Sequence, residues 1–91
     1  PNYPVGIHPT ALIGDCCEID SSASIGPYCV IGDGTFVGPH VVLEAHCVVG
    51  PGCRIGDFTH LYPRVTLYRD VHIGKRSEIH SGVVLGADGF G

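Results

Sequence analysis

The chain has no tryptophan and no methionine, so bulky side chains for filling a core are scarce. Charge is also scarce: 15% of residues are charged and 44% are hydrophobic, which excludes a disordered acidic tail. No lysine or arginine occurs before Arg54, and the formal charge of −4 excludes a nucleic-acid binder held by a basic domain. No apolar run approaches the ~18 residues of a helical membrane span. Five cysteines, an odd number without paired spacing, argue against a disulfide framework and for a reducing compartment, so a soluble cytoplasmic protein is expected. Ninety-one residues make one domain at most, or part of one.

What the chain does have is a ruler. Every sixth residue from Ile7 onward is aliphatic: Ile7, Ile13, Ile19, Ile25, Ile31, Val37, Leu43, Val49, Ile55, Leu61, Leu67, Ile73, Ile79 and Leu85. Ile, Leu and Val supply 24 residues in all, so fourteen such agreements arise by chance with odds on the order of 10⁻⁸, and the period belongs to the fold. Punctuation keeps the same step. Gly follows the ruler residue at eight positions, and Pro9, Pro27, Pro39, Pro51 and Pro63 come one place later. Each hexad reads as a short strand ending on the ruler residue, then a corner where Gly is expected to supply positive φ and Pro the bend. A helix of period 3.6 cannot hold a strict six. Short strands that turn the same way at every corner build an all-β solenoid. Three hexads would close a triangular coil of parallel strands, giving between four and five coils.

Strand side chains alternate, so the residue two before each ruler position also points inward. That column is small throughout and holds Cys17, Cys29, Cys47 and Cys53, which read as small core residues and not as metal ligands. Cys16 and His46 fall at corners. The residue just before each ruler position points outward, and sorting by eighteen gives three walls. The first, Leu12, Val30, Val48, Thr66 and Val84, is an apolar stripe and is expected to be an oligomer interface. The second is Glu18, Phe36, Arg54, His72 and Phe90, and the third is Gly6, Ser24, Val42, His60 and Glu78. Residues 1–45 hold five acids and no Lys or Arg, while Arg54, Arg64, Arg69, Lys75 and Arg76 all follow, which could attract an anionic substrate or acidic carrier.

"SIGPYCVIGDGTFVG" resembles the hexapeptide repeat of the acyltransferases built as a left-handed parallel β-helix. "IHPTALIG", "LYPRVTLY" and "IHSGVVLGADGFG" are most similar to the UDP-3-O-(3-hydroxyacyl)glucosamine N-acyltransferases of lipid A biosynthesis. The resemblance implies the left hand, a homotrimer, a UDP-sugar substrate, acyl carrier protein as acyl donor, and no cofactor or metal. It implies a preceding nucleotide-binding domain, with residues 1–4 as linker and 5–91 as one segment of a longer β-helix. It also implies a general-base histidine two places after a ruler residue. None of the six histidines holds that offset, so the base is expected beyond Gly91 and the chain alone is expected to be inactive. Asp88 and Phe90, in the closing "GADGFG", and His72, outward beside Arg54, are the candidate substrate contacts. Three other readings stand beside this one. A different hexapeptide acyl- or acetyltransferase would share the repeats. A γ-class carbonic anhydrase would need a His pair five apart for zinc, which is missing. A trimer-forming scaffold would need no site at all.

Overall fold

The computed structural model describes residues 2–86. Its fourteen strands, from Gly6–Ile7 to Val84–Leu85, each end on a ruler residue. They form three all-parallel sheets of five, five and four strands, and each strand lies beside the one eighteen residues away: Val30 pairs with Val48, Phe36 with Arg54, His60 with Val42. This is the left-handed parallel β-helix of three walls and between four and five coils.

Each ladder strand is two residues long, but the hydrogen bonding runs further. From Ile7 to Leu67, the amides before and after the ruler residue donate to the next coil, as in Val30 N–H to the Cys47 carbonyl at 2.9 Å and Gly32 N–H to the Val49 carbonyl at 2.7 Å. The inward small residue therefore contributes its carbonyl without belonging to the ladder.

The core is the stack of ruler residues and their small companions. From Ile25 to Leu67 every ruler side chain is at most 2% exposed, each worth about 1.5–3 kcal/mol of burial. The same residue types are only half-buried at Ile13, Ile19, Ile73 and Ile79, where coils lie closer to the ends of the described residues. The small column is more than apolar filler. Cys29, Cys53, Thr35 and Thr59 each donate from Sγ or Oγ1 to the carbonyl fifteen residues on, at 3.0, 3.0, 3.0 and 2.7 Å. Where the column holds Cys or Thr in place of Val or Ala, the side chain adds a donor to the packing, as at Cys29, Thr35, Cys53 and Thr59. Burial pushes the Cys53 thiol up, which keeps it the donor.

The corners correct one expectation. Among the eight glycines that follow ruler residues, only Gly86 has positive φ. The left-handed residue lies two places later, and at eight corners it is not glycine: Cys16, Tyr28, His40, His46, Phe58, Arg64, Asp70 and Arg76 have φ between 58° and 63°. That conformation costs about 1–2 kcal/mol per residue. It turns the amide toward the preceding coil, where His46 N–H donates to the Pro27 carbonyl at 3.0 Å and Arg76 N–H to the Asp57 carbonyl at 2.8 Å. The glycine after the ruler is needed for close approach instead. A Cβ on Gly32 would stand 2.5 Å from the Pro51 nitrogen of the next coil.

Candidate functional site

A strand that ends on its ruler residue carries the preceding side chain outward, and the eighteen-residue register stacks those side chains into columns. On the apolar wall the structure brings Leu12, Val30, Val48, Thr66 and Val84 into one continuous column. Leu12 is 67% exposed and Val84 50%, with Val30 and Val48 near 40%. Among the described residues, the four apolar side chains of this stripe stay exposed along its length.

The second wall places His72 directly beside Arg54, and Arg54 beside Phe36. The Arg54 guanidinium lies 4.8 Å from the centre of the Phe36 ring, a cation–π contact that holds it along the wall. His72 is exposed next to it. Asp88 and Phe90, the other two candidate contacts, lie outside the described residues. At the corner that follows this wall, His40 stacks on Phe58 at 4.7 Å and the Arg76 guanidinium covers the same ring at 4.6 Å. Lys75 reaches Asp57 at 3.8 Å, but its side chain is 74% exposed and the pair contributes little. Arg54, Lys75 and Arg76 thus gather on and beside one wall next to His72, with Asp57 against Lys75, and guanidinium groups set this way suit phosphate or carboxylate groups. Among the described residues, no three His, Cys, Asp or Glu side chains converge on a common point to hold a metal ion.

The third wall carries a cluster that periodicity did not reveal. Glu44 Oε2 lies 2.6 Å from His60 Nε2 and accepts a hydrogen bond from the Tyr3 hydroxyl at 3.1 Å. His60 stacks on Tyr62 with ring centres 4.1 Å apart, and Tyr62 stacks on His80 at 5.2 Å. Burial first, then the Glu44 carboxylate, push the Tyr3 phenol above its ordinary range. The available signal was the spacing: Glu44 and His60 are sixteen apart and Glu44 and Tyr62 eighteen, which sets them on adjacent coils at one edge. Tyr3 precedes the first hexad, so no ruler could place it.

Three overlapping stretches of the chain, residues 10–45, 28–61 and 52–87, match the bacterial transferase hexapeptide family of six repeats. Over all 91 residues the chain is 48% identical to the UDP-3-O-acylglucosamine N-acyltransferase of Pseudomonas syringae pv. tomato, and over 86 residues it is 51% identical to that of Coxiella burnetii. These matches take in 100% and 94% of this chain but 26% and 25% of the relatives, so the chain spans about a quarter of their length. The fold is also similar to serine acetyltransferase isoform 3 of Entamoeba histolytica, with a TM-score of 0.57 and 22% identity over 86% of this chain and 35% of that one. The ruler, the parallel coils and the family match agree, and the chain belongs to the bacterial transferase hexapeptide family.

Proposed function

We propose that this chain is the leading part of the β-helix of a UDP-3-O-acylglucosamine N-acyltransferase. The observation that carries the reading is the identity of about half across the whole chain to relatives of that name. The reaction moves a 3-hydroxyacyl group from the thioester of acyl carrier protein to the glucosamine amine of a UDP-3-O-acylglucosamine, a step of lipid A biosynthesis in the cytoplasm. The amine nitrogen attacks the thioester carbonyl and a general base takes its proton. The tetrahedral oxyanion collapses, breaking the C–S bond and releasing the carrier's thiol.

In this reading residues 1–4 are linker and 5–91 are part of a longer domain, with the base histidine beyond Gly91 and the nucleotide-binding domain before Pro1. Leu12, Val30, Val48, Thr66 and Val84 seal the subunits of a homotrimer, and His72, Asp88 and Phe90 line the substrate side. The positive rim of Arg54 and Arg76 suits the diphosphate or the acidic carrier.

The test is a donor assay on the parent protein with UDP-3-O-acylglucosamine as acceptor. The reading requires N-acylated product from 3-hydroxyacyl carrier protein and none from acetyl-CoA. Transfer from acetyl-CoA alone would place the protein among the acetyltransferases of the same fold. No transfer from either donor would leave the chain as a scaffold.

A further inference from the structure

The apolar wall is bordered by corners of opposite chemistry. The corner that leads into it from the His60 wall holds Tyr28, His46 and Arg64 on successive coils. The corner that leads out of it toward the Arg54 wall holds Asp15, Asp33 and Asp70, with Arg69 next to the last. One border thus carries donors and the other mostly carboxylates. Tyr28, Arg64, Asp33 and Asp70 are all exposed, Tyr28 at 59%. Among the described residues the ion pairs are His60 with Glu44 and Lys75 with Asp57, so neither Arg64 nor Asp70 is matched within the protomer. Asp33 accepts from the Asp15 amide through Oδ1 at 2.8 Å, which leaves Oδ2 for another donor.

The two borders also match in height. Stacked strands stand about 4.8 Å apart. Tyr28 and Asp33 are separated by five residues of an eighteen-residue coil, and Arg64 and Asp70 by six. Each donor therefore lies within about 2 Å of its carboxylate along the solenoid axis, with the width of the wall between them. A rotation about an axis parallel to the solenoid preserves height. With the wall turned toward that axis, it sets the leading border of one copy against the trailing border of the next. The other walls are less suited to this. The His60 wall has an arginine on each border, Arg76 leading in and Arg64 leading out, and the Arg54 wall carries Glu18, Arg54 and His72 along its own column.

We propose that these borders are the two halves of a head-to-tail contact between copies of this chain. Arg64 of one copy meets Asp70 of the next, and Tyr28 meets Asp33 of the next, while the apolar column closes the space between them. The proposal rests on the reading of that wall as the trimer interface and adds to it the direction and register of assembly. A slip of one coil toward Pro1 sets Arg64 against Pro51 and Gly52, which offer no carboxylate, so the pairing favours coils level with one another.

The test is sedimentation of the intact protein over a range of concentrations, comparing Arg64→Asp, Asp70→Arg and the double exchange with Val48→Glu. Each single exchange sets like charges together at every contact and is expected to weaken assembly at least about tenfold. The double exchange restores opposite signs and should return the affinity to within about threefold of the unaltered protein. Native affinity in both single exchanges, with Val48→Glu dissociated, would overturn the border pairing and leave the apolar wall as the interface. Weakening that the double exchange does not reverse would likewise overturn the pairing. An assembly that survives Val48→Glu, or an unaltered protein that sediments as a single chain, would overturn the pairing together with the reading on which it rests.

Discussion

The apolar wall and the His60 wall are built by the same rule and end in opposite states. Both present the residue before the ruler, in parallel strands of the same length and register. On the His60 wall the chain uses its own outward positions: Ser24 is covered by Tyr3, and His60 is bonded and stacked. On the apolar wall Leu12, Val30, Val48 and Val84 stay exposed, and no segment of the described chain crosses them. The solenoid specifies its interior by period alone and leaves each wall free to diverge. Ser24 and His60 find partners within the protomer, while the exposed apolar residues of the other wall are those that the proposed interface would use.

If the walls differ only outward, changes to their inward sides must cost the same. Leu61→Ala behind the His60 wall and Leu67→Ala behind the apolar wall remove side chains 0% and 1% exposed. Each is expected to lower stability to urea by about 2–5 kcal/mol. A difference of more than about 2 kcal/mol between them would break the equivalence.

Corner glycines give the next largest effect. Gly26→Ala and Gly50→Ala, after the two walls in turn, would bring a Cβ to 2.9 Å from the Leu43 oxygen and 2.7 Å from the Tyr68 carbonyl carbon. Either should cost about 1–3 kcal/mol in thermal or urea unfolding.

Thr35→Val, on the remaining wall, keeps the shape and leaves the Gly50 carbonyl without its Oγ1 donor. A loss of about 1–2 kcal/mol in urea unfolding is expected, and an unchanged midpoint would reduce the small column to plain packing. The smallest effects return to the outward positions. Ser24→Ala should cost about 0.5–1 kcal/mol through its bond to Tyr3. Thr66→Val on the apolar wall should leave the protomer's stability within about 0.5 kcal/mol.

The interior and the walls were legible because a six-residue period needs no knowledge of distant contacts. Ile25, Leu43 and Leu61 are inward because of where they fall in the count, and Val48 is outward for the same reason. The corners were not legible. Whether Gly32 serves conformation or close approach depends on Pro51 in the next coil, and the left-handed Tyr28 and Phe58 each donate their amide to the coil before, to Thr10 Oγ1 and the Pro39 carbonyl. The donors of Thr35 and Cys53 reach fifteen residues on, a step that crosses the hexad count at a corner. Of the candidate site, the count placed His72 beside Arg54, and it missed the cluster of Glu44, His60 and Tyr3 because Tyr3 has no hexad.

The most direct measurement is sedimentation of the intact protein carrying the same charge on either wall, Val48→Glu or Val42→Glu. With the apolar wall as the subunit interface, Val48→Glu should dissociate the assembly into folded protomers and Val42→Glu should sediment as the unaltered protein does. An intact assembly with Val48→Glu, or dissociation by both changes alike, would contradict the division of labour between the walls.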